Sequence, residues 1–263
     1  MNCTPLSSGR TTHTPHNSAS ACFLALAVFS ALLCASCSTR INGKIHKEGR
    51  AELVLRSELL PGMNGLLKSL APKDSAAPVL DAGLLNDAFA RMSGIETAAL
   101  HNTPFGGVEG RIAAADAAVF FNSLSRRAPA KNAVTPPEPF AVWEQTANGG
   151  RLAVSLNRGT GQEFISLVST DLADYLSALM APIATGEVID NDGYLELVSS
   201  VYGKTVAEEI GNASISIVLD LPSPVQRATG GTFKGNRAEF AIRLIDALVL
   251  DRPLFYEIRW AGL

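Results

Sequence analysis

The side chains best suited to chemistry are few in this chain and do not converge. Beyond residue 37 the histidines are His46 and His101, and neither sits in an HExxH or Gly-x-Ser-x-Gly setting. The sequence therefore spells out neither a zinc hydrolase nor a Ser-His-Asp enzyme. His46 fits the polar face of a first strand, and His101 fits the end of a helix. Gly203-Lys204-Thr205 has the ending of a phosphate-binding loop, but the earlier glycine is replaced by Val198. One helix ending and another starting explains the triplet better. Gly159-Thr160-Gly161 opens like a dinucleotide fingerprint, yet Phe164 stands at the third glycine position, which leaves an ordinary loop. Asp190-Asn191-Asp192-Gly193 begins like a calcium loop, but its twelfth position is Val201, and a helix-capping turn accounts for it. Carboxylates are numerous and scattered, so a two-carboxylate glycosidase has no identifiable site. The expectation is a chain without catalytic residues, metal or cofactor.

Cysteine placement is more telling. Cys3, Cys22, Cys34 and Cys37 are the four cysteines, all within the first 37 of 263 residues. Residues 21–33 form an uncharged apolar run without proline. At about 1.5 Å per residue it is too short for a bilayer core of about 30 Å, but it suits the apolar region of a secretory signal. Ala35 and Ser36 then precede Cys37. This segment resembles a bacterial lipoprotein signal, with Cys34 at the −3 position where leucine is usual. That relaxed spacing is closer to spirochaetal lipoproteins. The resemblance implies removal of residues 1–36 and acylation of Cys37 (palmitate-type chains), tethering residues 37–263 to a membrane of the bacterial envelope, the outer membrane rather than the inner. Cleavage near Ser38 by an ordinary signal peptidase would instead release a soluble protein. An uncleaved anchor is disfavoured by the short apolar run.

Composition narrows the remainder. The chain is 47% apolar and 18% charged, with net charge −3. Residues 1–36 hold Arg10 as their one charge, so the rest carries 21 basic and 25 acidic groups, net −4. This is a globular composition without the basic surplus of a nucleic-acid binder. A domain with Cys37 as its lone thiol has no internal disulfide and no thiolate nucleophile.

The elements follow from periodicity. Ile41, Gly43 and Ile45 alternate with polar residues, Lys47-Glu48-Gly49-Arg50 supplies a turn, and Ala51, Leu53 and Leu55 continue the alternation, predicting a hairpin. Pro61 suits the first turn of a helix bearing Met63, Leu66, Leu67 and Leu70. A second helical pattern covers about 80–100, and a strand or short helix lies near 111–124. Residues 128–139 read as a proline-rich, linker-like loop. Asn148-Gly149-Gly150 predicts a hairpin turn. Asp171 is placed to cap a helix, Leu195, Val198 and Tyr202 mark another that ends at Gly203, and Thr205 with Glu208 forms a capping-box pattern. Ile215, Ile217, Leu219 and Leu221, then Ala238, Phe240, Ile242 and Leu244, then Leu254, Tyr256, Ile258 and Trp260, alternate as strands. The expected fold is α+β: one domain over 37–263, with an antiparallel sheet built from hairpins and helices packed on one side.

The Gly49 hairpin running into Leu60-Pro61, and the pattern Leu221-Pro222, Gly231, Gly235-Asn236, Phe240 and Trp260, resemble LppM-like bacterial lipoproteins. That resemblance implies an apolar cavity and lipid-glycan binding. The residues selected here as cavity lining are Leu172, Leu176, Leu179, Met180, Leu195 and Val198, on helical stripes that packing against the sheet would equally explain. Residues 171–200 carry six acids and no Lys or Arg, unlike helices that adsorb to anionic lipid. Two functions stay in view. One is a non-enzymatic, lipid-anchored envelope protein that binds lipid or glycolipid. The other is a structural or host-facing protein-interaction module, its partner unknown. Nucleic acid is not expected as a partner.

Overall fold

The computed structural model describes residues 39–70, 78, 80–124, 139–161 and 179–262. Cys37, Leu172, Leu176, the helix predicted after Asp171 and residues 128–138 of the proline-rich loop lie outside them. The chain opens with the predicted hairpin, β1 (Thr39–Ile45) and β2 (Ala51–Ser57), paired antiparallel from Arg40–Arg56 to Ile45–Ala51. Gly49 closes its loop at φ +88°, a conformation that glycine adopts without steric cost. The next elements are α1 (Pro61–Leu70), α2 (Ala82–Ala90), β3 (Ile95–Asn102), β4 (Val108–Ala114), α3 (Ala117–Ser123), β5 (Ala141–Thr146) and β6 (Gly149–Leu156). The rest are α4 (Ala181–Thr185), α5 (Asn191–Tyr202), α6 (Lys204–Asn212), β7 (Ser214–Asp220), β8 (Val225–Thr229), β9 (Gly231–Lys234), β10 (Arg237–Arg243), α7 (Leu244–Val249) and β11 (Leu254–Ala261).

The fold class is α+β as expected, but the strands form two sheets. The larger has the order β3-β4-β2-β1-β7-β10-β9, and the smaller β5-β6-β11-β8. All pairings are antiparallel except β1 with β7, where Thr39 lies against Ile215 and Lys44 against Asp220. Hairpin logic cannot foresee that pair, because most of the chain separates its two strands. Strands β8 and β9 are consecutive yet belong to different sheets. Gly230, at φ +77°, makes the bend that carries the chain between them.

Two sequence patterns resolve differently from expectation. The helix expected over 80–100 stops at Ala90, and Gly94 at φ +84° turns the chain into β3. His101 consequently sits on an exposed strand rather than a helix end, with Nε2 3.2 Å from Glu109. The capping box is not used either. Helix α6 starts at Lys204 behind Gly203, and Glu208 faces Lys204 at 3.4 Å. Its neighbour Glu209 instead accepts from the backbone amides of Gly62 and Met63 at 2.9 and 2.7 Å. A carboxylate from one helix thus satisfies the free N–H groups of another, where the α1 dipole favours negative charge. The Asp190 cap behaves as read, accepting from the Gly193 amide at 2.8 Å.

Each sheet has an edge strand clamped by an asparagine. Asn86 of α2 donates to the Leu100 carbonyl at 2.9 Å and accepts from its amide at 2.8 Å. Asn122 of α3 does the same to Trp143 on β5, at 3.2 and 2.9 Å. A primary amide presents the same donor and acceptor pair as a neighbouring strand, so these side chains close edges that would otherwise invite pairing with other chains.

Candidate functional site

The inner face of the larger sheet and that of the smaller sheet are both apolar, and they face one another across a cavity of about 170 Å³. Alternation places the lining. Ile41, Leu53, Leu55 and Ile112 come from β1, β2 and β4, and Ile217, Leu219, Phe240 and Ile242 from β7 and β10. The smaller sheet adds Ala141, Leu152, Val154, Tyr256 and Ile258, and helices α2 and α3 with the residues just after them close the side with Phe89, Met92, Phe120, Phe121 and Leu124. On the opposite face of the larger sheet the intervening residues Arg40, Lys44, Glu52, Arg56, Arg237 and Glu239 meet solvent.

Among these lining residues, the Tyr256 hydroxyl is the one side-chain polar group. Burial, then the negative charge of Asp246, pushes its pKa above the ordinary phenol value, so it stays a neutral O–H. The Tyr256 ring meets Phe240 edge-on, with centroids 5.9 Å apart. At the other side Phe121 stacks on Trp143 at 5.4 Å, and Trp143 leans on Trp260 at 5.0 Å. Aromatic rings keep this wall stiff, because they fill area with few rotatable bonds. Gly43 matters to the cavity shape: a Cβ there would lie 2.5 Å from Leu219 and 2.9 Å from Leu53, both lining side chains.

A cavity with this lining cannot solvate a charge, offers no acid–base pair and takes apolar matter. Its volume slightly exceeds the roughly 150 Å³ apolar cavity that accommodates benzene. The space is therefore large enough for a ring or the end of an alkyl chain.

The helical residues expected to line a cavity lie elsewhere. Leu179, Met180 and Val198 are buried, but in the helical part of the core, where Tyr194 donates to the Leu179 carbonyl at 2.5 Å. Leu195 is half-buried and packs beside Gly211. None of these four borders the cavity. Helices α4, α5 and α6 pack on α7, whose Leu244, Ile245, Ala247, Leu248 and Val249 are almost entirely enclosed. The missed signal was in the strands. Their alternation was legible, but two apolar sheet faces opposed to each other, rather than one sheet covered by helices, is what leaves a gap.

The strongest charge cluster lies away from the cavity. Glu257 of β11 is buried and accepts from Arg151 Nε at 2.6 Å and Arg259 Nε at 2.8 Å. The hydrogen bond from Arg259 leads in lowering its pKa to about 2, against the opposing effect of burial, and Arg151 adds to the depression. This is an ion-pair staple across the small sheet. Among the described residues no group of three or more His, Cys, Asp or Glu is placed to hold a metal. No helix among them is long and apolar enough to cross a membrane.

No protein-family model matches the chain, and no curated protein matches it. Among solved structures it is similar to the folded domain of LppM from Mycobacterium tuberculosis, determined by NMR. The match has 10% identity and a TM-score of 0.37, covering 86% of this chain and 89% of that one. This mycobacterial neighbour lends nothing to the spirochaetal comparison.

Proposed function

We propose that this chain is a non-enzymatic envelope lipoprotein, tethered to a membrane through acyl chains on Cys37, whose domain holds an apolar ligand between its two sheets. The observation that carries the binding half is the cavity itself. It has apolar walls on every strand and helix that borders it, a volume of about 170 Å³, and one hydroxyl, Tyr256, as its polar group. The ligand class that matches is an acyl chain or comparable hydrocarbon, with any glycan or charged headgroup remaining outside. The anchoring half rests on the sequence: the apolar run 21–33, then Ala35-Ser36-Cys37. Multiple acyl chains would hold far better than one, which binds only marginally.

Intact mass of the protein from native membranes, beside Cys37→Ala, tests the anchor. A chain beginning at Cys37 with added acyl mass that the variant lacks is the expected result; an unmodified chain beginning near Thr39 would overturn it. For the cavity, organic extracts of the purified protein are expected to contain acyl-chain lipid in stoichiometric amount, and a fluorescent fatty acid is expected to bind when the chain is delipidated. Neither signal would leave the cavity an inert packing defect.

A further inference from the structure

Three large apolar side chains stand exposed at one end of the domain. Thr39 opens β1 beside Ser57, the last residue of β2, with their hydroxyls 3.0 Å apart. Ser57 pairs with Val108, and beyond that row projects the β3–β4 connection, with Phe105 in it 74% exposed. Asn102 ties this hairpin to the start of α2: it accepts from the Ala82 amide at 3.2 Å and donates to the Leu80 carbonyl. Leu84, in the first turn of that helix, is 69% exposed. Leu60, just before α1, is 39% exposed, and Asn64 of α1 lies beside Gly106 of the same connection. Three separate segments therefore bring Leu60, Leu84 and Phe105 to the end where β1 begins. Cys37 is two residues back from Thr39, and two residues span at most about 7 Å.

We infer that this end of the domain rests on the membrane, with Phe105 and Leu84 entering the bilayer interface beside the tether. The inference depends on the acylation proposed at Cys37, because a tether this short leaves the surrounding surface nowhere else to lie. The nearby charges are Arg40, Arg56, Glu58, Asp81 and Glu109. Arg56 is already paired with Glu58 at 2.6 Å. With no surplus of basic groups, attraction to anionic headgroups is not the driving force; burial of apolar area is. Contact is therefore expected on zwitterionic phosphatidylcholine, which carries no net charge.

The test uses the chain beginning at Cys37, which contains every described residue and has that one cysteine. It is coupled through the thiol to a maleimide lipid in phosphatidylcholine vesicles, with or without brominated acyl chains. Phe105→Trp places a fluorophore at the inferred contact. Phe233→Trp is the control, because the row from Phe233 through Ala238 and Leu219 reaches β1 at Gly43, about 13 Å along the strand from Thr39. Trp143 and Trp260 are buried and supply the background. The expected result is loss of the emission added by Phe105→Trp on brominated vesicles, with the Phe233→Trp emission unchanged. No loss at position 105, or equal loss at both, overturns the inference. So does a dimer of the untethered chain that Phe105→Ser dissolves, since the patch would then cover a second copy. Because the coupling is chemical, a failure of native acylation shows only in the intact mass and leaves this result to be read by itself.

Discussion

Filling the cavity is the sharpest perturbation available. Ala141 is the smallest side chain on its wall and is 1% exposed. An unfilled apolar cavity forfeits about 24 cal/mol per Å³, so one of about 170 Å³ represents roughly 4 kcal/mol of unrealised packing. Ala141→Leu adds three carbons, worth about 2.4 kcal/mol at roughly 0.8 kcal/mol each. Misfit between the new side chain and the stiff aromatic wall offsets part of this, since overpacking costs about 1–3 kcal/mol where no space exists. The expected net is a stabilisation of the ligand-free protein by about 1 kcal/mol, raising Tm by about 2–4 °C for a domain of this size. Affinity for a fluorescent fatty acid should fall at the same time, because the variant side chain occupies the ligand's space. Paired thermal melts and titrations of delipidated protein measure both. A variant that is destabilised by more than about 1 kcal/mol and still binds the probe unchanged would refute the reasoning on both counts: the space would not be empty, and the ligand would sit elsewhere.

Other expectations follow from particular contacts. Glu257→Gln removes the charge shared by Arg151 and Arg259, and should cost about 1–2 kcal/mol in urea unfolding at neutral pH, discounted because both arginines are partly exposed. Since Glu257 is depressed from 4.5 to about 2, its contribution is complete above about pH 4.5 and is lost as pH falls through about 2; the variant should lack that part of the acid slope. Asn86→Ala and Asn122→Ala each leave an edge-strand amide and carbonyl unpaired, and should cost about 1–3 kcal/mol apiece, with increased aggregation on light scattering. Gly150→Ala places a methyl group inside the Trp260 indole, so the ring must move. A loss of about 2 kcal/mol or more, with a changed near-UV circular dichroism spectrum, is expected; an unaltered spectrum would show that the Trp143–Trp260 pair is not packed as described.

Local structure was written plainly in the sequence. The alternation in β1, β2, β7, β10 and β11, the turn at Gly49, the Asp190 cap and the stop at Gly203 all rest on interactions within a few residues, where spacing and residue type decide the outcome. The proposed targeting segment is of the same local kind, since peptidases and acyltransferases act on a short contiguous stretch. What the sequence could not declare was which apolar faces would meet. The stripe through Leu179, Met180 and Val198 looks as suited to a cavity wall as Ile217 or Phe240, and periodicity shows only that each has an inner side. The parallel pairing of β1 with β7, the Gly230 crossing between sheets and the Glu209 cap on α1 join residues far apart in the chain. Those contacts set two sheet faces against each other at a spacing the side chains do not fill, while the α7 side chains Leu244, Ile245, Ala247, Leu248 and Val249 are enclosed on the helical side. The cavity is thus a product of tertiary packing density, a property of the assembled layers that no single segment carries.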